Sequence, residues 1–183
     1  LVFTLFLCLC ISQNVSAHSI ASGKVIILAM DRIGWSDIID SYTPNIDILI
    51  DKGGIGLMTT NTVPTLSQKN EYITLGSGVA SSGSQKSQLC FSAEEYYKDD
   101  KAEDVYSQIT GNNIKQGSIV NLGIAQIYKA NKNRPYTVNI GAIGTVLKDA
   151  GYNTAVIGNS DTPDQYKRYL VSMLMDNEGI VSC

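Results

Sequence analysis

The sequence predicts an α/β protein built on a mostly parallel sheet with helices on both faces. Three observations support this. Residues 25–30, Val-Ile-Ile-Leu-Ala-Met, are apolar at every position, which suits a central strand covered from both sides. From Lys24 onward, strand-like and helix-like patterns alternate. Within residues 137–161 an amphipathic helical pattern runs through a glycine into the apolar stretch Thr-Ala-Val-Ile-Gly, the order expected of a helix feeding a parallel strand.

The elements follow in order. The first strand is expected at about 24–30, with Asp31 at its carboxyl end, where open α/β sheets collect ligands. The alternative for Asp31 is a cap on the following turn. Residues 43–54 predict a helix with Thr43 as N-cap, Pro44 in its first turn, Ile46, Leu49 and Ile50 on its apolar face, and Gly53 or Gly54 ending it. A second strand starts near Ile55. Residues 63–78 read as a loop entering a helix, with Ser67 as N-cap and Tyr72, Ile73 and Leu75 as apolar positions. Residues 80–116 are polar and read as an insertion beside the sheet. They contain a surface helix at 91–111, with Ser92 and Glu95 as a capping box and Gly111 as the stop. A short strand at 117–123, a helix at 124–133, and a helix with Ile140, Ile143, Val146 and Leu147 on one face follow. Gly151 closes that helix. A buried strand at 154–158 ends at Asn159, Ser160 and Asp161. The last stretch, 169–183, reads as a strand, an Asp-Asn-Glu-Gly turn and a returning strand.

Composition narrows the function. The 183 residues suffice for one domain with a real core. The formal charge is −3 with both signs scattered, and the absence of a basic stripe argues against a nucleic-acid partner. Residues 1–11 are apolar but too short to span a bilayer comfortably, and Val15-Ser16-Ala17 places small residues where a signal peptidase reads. Residues 1–17 are therefore expected to be a secretory signal peptide cleaved after Ala17, with 18–183 the exported part and an uncleaved membrane anchor as the alternative. Cys90 and Cys183 remain after cleavage, and an oxidising compartment would allow them to pair. No Cys-x-x-Cys or Cys/His spacing suggests a metal motif. His18 is the only histidine and would be the first mature residue, so the core holds no Ser-His-Asp triad. No Gly-x-Gly-x-x-Gly or Walker motif follows the first strand, which weakens a nucleotide-binding reading.

Residues 31–38, "DRIGWSDI", and 43–62, "TPNIDILIDKGGIGLMTTNT", resemble the opening motifs of the alkaline phosphatase-like and sulfatase-like superfamily. The runs "NEYITLGSGVAS", "FSAEEYY", "AEDVYSQITG" and "GNSDTP" resemble an uncharacterised bacterial branch of it. The resemblance implies that Asp31 is a ligand of a divalent metal, with zinc first and calcium or manganese as alternatives. It implies Ser67 as the catalytic nucleophile at a helix N-terminus, Thr65 as the second candidate, and Asn70 as a substrate contact. Arg32 stands where many sulfatases carry a second Asp, and the sulfatase Cys-x-Pro-Ser-Arg signature is absent. Asp161 matches no ligand of the superfamily and reads as a cap for the Thr162-Pro163 turn.

The resulting expectation is the N-terminal fragment of an extracytoplasmic, metal-dependent phosphate-ester hydrolase or transferase, truncated at the C-terminus and inactive alone. Its partner would be a small phosphate ester or an envelope component, with membrane association through missing parts of the chain. The alternative is a non-catalytic exported protein that binds or scaffolds on a degenerate version of that fold.

Overall fold

Residues 25–30 do not enter a sheet. They have no regular secondary structure, and they are exposed, with Val25 and Ile26 at 88%. A wholly apolar run is compatible with a central strand, but a strand exists only where a second backbone pairs with it. Among the described residues none pairs with this run. The computed structural model describes residues 23–31, 33–56, 58, 61–158 and 160–182. The expected leader at 1–17, His18, Arg32, Asn159 and Cys183 therefore lie outside the described residues.

The chain divides after Gly56 into two units. The described residues of the first contain two helices. In α1 (Trp35–Ile39), Asp37 reaches back to accept the Gly34 N–H at 2.7 Å, satisfying one donor that the helix start leaves open. Helix α2 (Pro44–Lys52) begins at the Thr43-Pro44 start read in the sequence and ends at Gly53, whose N–H donates to the Leu49 carbonyl at 2.9 Å. The Thr43 hydroxyl turns to the Asp47 carboxylate at 3.2 Å rather than capping the backbone. None of the described residues from 23 to 56 is buried.

The second unit holds the core. Helix α3 (Gln68–Ser77) starts after Ser67 and is followed by β1 (Cys90–Ser92), β2 (Tyr96–Tyr97) and β3 (Asp100–Lys101). Then come α4 (Ala102–Thr110), β4 (Ile119–Asn121), α5 (Ile124–Asn131), α6 (Ala142–Asp149), α7 (Val171–Leu174) and β5 (Ile180–Val181). The larger sheet has the order β1-β4-β5, antiparallel throughout, with Phe91 opposite Val120 and Val120 opposite Ile180. The smaller one is the β2–β3 ribbon.

Phe91, Val120 and Val181 of the sheet pack with Ile73 of α3, Tyr106 of α4 and Ile127 of α5. Each such side chain contributes roughly 1.5–3 kcal/mol when fully buried. Two glycines let the helices approach the chain around α7. A Cβ on Gly76 would come within 2.6 Å of the Ser172 carbonyl oxygen, and one on Gly144 within 2.3 Å of the Leu174 oxygen.

This architecture overturns the predicted fold class. The molecule is mostly helical with two small antiparallel sheets. It is not a parallel sheet with helices on both faces, and it does not have the large sheet of the alkaline phosphatase-like and sulfatase-like superfamily. The expected strand at 154–158 also has no regular structure. The polar stretch read as an insertion supplies β1–β3, α4 and buried Cys90, Phe91, Ala93, Ala102 and Tyr106. All of α4 and its Gly111 stop fall within the helix read at 91–111. The preceding residues instead form strands, because Phe91 pairs with β4 and Tyr96 with Lys101. The strand expected after Tyr169 is the short helix α7, while the 176–179 turn and the returning strand are present.

Candidate functional site

Three of the residues singled out in the sequence come together in the second unit. Ser67 takes an extended backbone (φ −165°, ψ 149°), and its carbonyl accepts the N–H groups of Asn70 and Glu71, both at 2.9 Å. Its hydroxyl makes no cap bond, and its Oγ is buried without a partner among the described residues. Asn70 is 1% exposed, and both ends of its amide are used. Its Nδ2 donates to the Thr65 carbonyl at 2.7 Å, and its Oδ1 accepts the Gly83 N–H at 2.8 Å. Thr65 is exposed, and its carbonyl also accepts the Thr62 hydroxyl at 2.8 Å.

Asn70 thus braces the loop at 62–67 against the chain at 80–84, and Ser82 adds a second tie. The Ser82 hydroxyl donates to the Val63 carbonyl at 2.6 Å and receives an Arg134 Nη2 hydrogen bond. Asn131 closes around the Ser82 backbone, accepting its N–H at 2.9 Å and donating to its carbonyl at 2.7 Å. A serine hydroxyl attacks an ester when a group placed beside it takes its proton, and no side chain among the described residues accepts a hydrogen bond from Ser67 Oγ. Asp31 belongs to the first unit, at the turn that follows residues 25–30.

A metal centre of the expected kind needs about four ligands. Among the described residues, no three His, Cys, Asp or Glu side chains stand close enough to hold a metal ion. No such cluster surrounds Asp31 among the described residues. The metal-dependent phosphate-ester hydrolase reading is corrected on this ground and on the fold.

The second cluster centres on Arg168, which the sequence reading passed over. Its Nε donates to Asp161 Oδ2 at 2.7 Å, and its Nη1 donates to Glu95 Oε2 at 2.7 Å and to the Cys90 carbonyl at 3.0 Å. The guanidinium also lies against Phe91 and Tyr166, at 4.8 and 5.1 Å from the ring centroids. Hydrogen bonds from Arg168 to Glu95 and Asp161 push the arginine further toward its charged form than burial pulls it back. Burial pushes the Asp161 carboxyl up, but the Lys167 N–H and Arg168 together outweigh it and hold the group below the usual carboxylate range. Asp161 does brace the 162–165 turn as expected, through the Lys167 N–H at 2.8 Å, and it also anchors the arginine. A usable signal was present in the sequence: an Asp before a Thr-Pro turn, with an aromatic and an arginine a few residues on.

Cys90 lies beside this cluster at 1% exposure. Burial pushes its thiol far up, against a weaker pull from Arg168, so it stays protonated and is a poor nucleophile. A cleft of about 240 Å³ opens here, bordered by Glu95 and Arg168 on its polar side and by Ile119, Val156 and Val171 on its apolar side.

Compared with known protein-family models, curated proteins and solved structures, the chain matches none. Among the described residues, helices outweigh two small antiparallel sheets, and the polar side chains around Ser82 and Arg168 brace loops of the second unit.

Proposed function

We propose that this chain is a non-catalytic, exported binding or scaffolding protein that engages its partner through residues 23–56. One observation supports the reading most strongly. The run at 25–30 is apolar throughout, yet it is exposed and its backbone pairs with nothing among the described residues. Ile33, Trp35, Ile39 and Leu49 of the same unit are exposed as well. Exposed apolar residues gathered in one segment in this way mark an interaction site, and unpaired backbone at Val25, Ile26 and Ile27 offers hydrogen-bonding groups to another chain. The leader read at 1–17 supports export, which puts an envelope component first among candidate partners. No helix among the described residues is long and apolar enough to cross a membrane.

The test places a photo-crosslinking amino acid at Ile27 in the full-length protein, expressed in its own host, with Tyr96 of the second unit as control position. The reading expects one discrete adduct from position 27, none from position 96, and loss of the adduct when Leu28→Asp is added. A phosphate-ester assay with added zinc, calcium or manganese runs alongside. Metal-dependent turnover lost in Asp31→Ala or Ser67→Ala, or equal crosslinking from both positions, would overturn it.

A further inference from the structure

We infer that the Arg168 cleft is a binding site for a neutral amide that carries a small branched apolar group. The inference is independent of the surface at residues 23–56, since every residue it uses lies in the second unit.

Among the described residues β1 pairs only with β4, so Cys90 and Ser92 turn backbone groups away from the sheet. Side chains cover these groups. Arg168 Nη1 donates to the Cys90 carbonyl at 3.0 Å, and the Ser92 N–H donates to Glu95 Oε2 at 3.4 Å. The pair thus stands where a neighbouring strand would, supplying one donor and one acceptor. Each partner also keeps an atom in reserve. Arg168 Nη2 and Glu95 Oε1 make no bond among the described residues, and both residues border the cleft. Together they repeat the donor and acceptor pattern of the strand edge one layer further out.

Charge selects among ligands. One guanidinium is balanced against two carboxylates, Glu95 and Asp161, so the cluster is net negative by one. A carboxylate or phosphate ligand would meet a cation already neutralised and a like charge beside it. A neutral group with an acceptor next to a donor fits better. A carboxamide offers its oxygen to Arg168 and its N–H to Glu95. Ile119, Val156 and Val171 form the apolar wall, and a volume of about 240 Å³ limits the ligand to a small side chain. Val156 and Gly158 come from the irregular stretch at 152–158, which borders the cleft without pairing to the sheet.

The test is an NMR titration of the isotope-labelled full chain with isovaleramide, N,N-dimethylisovaleramide and isovalerate. The three share one apolar body. They differ in whether they offer an amide donor, only an acceptor, or a charge. Isovaleramide should give saturable shifts at Ser92, Ile119, Val156 and Val171, with a dissociation constant on the order of 1–10 mM. The dimethylamide and the carboxylate should bind at least about tenfold more weakly, because the first offers Glu95 no donor and the second adds a like charge. Glu95→Gln should lose the preference for isovaleramide while keeping the native spectrum, since glutamine still offers an oxygen to Arg168. Isovalerate binding as well as isovaleramide, equal binding of the dimethylamide, or no saturable shift with any of the three would overturn the assignment. The ligand comparison uses the unaltered protein, so it decides the matter even if Glu95→Gln fails to fold.

Discussion

Lys148 Nζ donates to Asp176 Oδ2 at 2.6 Å, joining α6 to the turn before β5, while Oδ1 of the same carboxylate accepts the N–H groups of Glu178 and Ile180, each at 2.9 Å. The partners are unequally placed: Asp176 is 2% exposed and Lys148 is 47% exposed. Removing the carboxylate orphans two backbone donors, whereas removing the amine leaves a carboxylate that still has both. Asp176→Ala should therefore cost about 2–4 kcal/mol, and Lys148→Ala about 1 kcal/mol or less, in urea unfolding. Equal losses in the two variants would show that the ion pair, not the turn, is what matters.

Gly144 lies inside α6, where alanine would ordinarily favour the helix by about 1 kcal/mol. Here its Cβ would meet the Leu174 and Met175 carbonyl oxygens, both at 2.3 Å. Gly144→Ala should therefore destabilise by about 2 kcal/mol, while an exposed position on the same helix changed to alanine should not. The thermal midpoints of the two variants make the comparison.

Asp161 titrates below the usual carboxylate range in the folded chain, because the Lys167 N–H and Arg168 outweigh the opposing effect of burial. A depressed carboxyl pKa stabilises the fold above the unfolded value, about 3.9, and that contribution fades as pH falls through the folded value. Unfolding free energy measured from pH 6 down to pH 2 should drop more steeply in the parent than in Asp161→Asn. Parallel curves would remove Asp161 from the acid response.

Cys90 is buried with its thiol pushed up, and its Sγ donates to the Ser87 carbonyl at 3.4 Å. Iodoacetamide at pH 8 should leave it unmodified in the native protein and label it fully in denaturant, with mass spectrometry reading the difference. Fast native labelling would mean that the sheet edge opens readily.

Much of the local structure was legible in the sequence. The Thr43-Pro44 start of α2, Ser67 before α3 and Gly111 after α4 are chemical signals that act within one turn of chain, and the structure uses all three positions. The apolar runs at 25–30 and 154–158 misled, because composition reports that a segment wants burial and not which backbone will pair with it. The polar look of 80–116 misled for the opposite reason. Several of its buried residues are serines, and Phe91 and Tyr106 meet only through the tertiary fold. Of the candidate site, Ser67, Thr65 and Asn70 were found as neighbours, while the Arg168 cluster depends on Glu95, 73 positions away in sequence. No local pattern announces a pairing at that distance.

Residues 25–30 pair with nothing among the described residues, and the proposed function has them await a partner. Amide hydrogen exchange of the purified full-length protein at low concentration tests it most directly. The amides of Ile26, Ile27, Leu28 and Ala29 should exchange at nearly unprotected rates, while those of Val120 and Ile127 in the core are slowed by orders of magnitude. Protection of 25–30 equal to that of Val120 would mean that the run already sits in a sheet, and the binding account would fail with it.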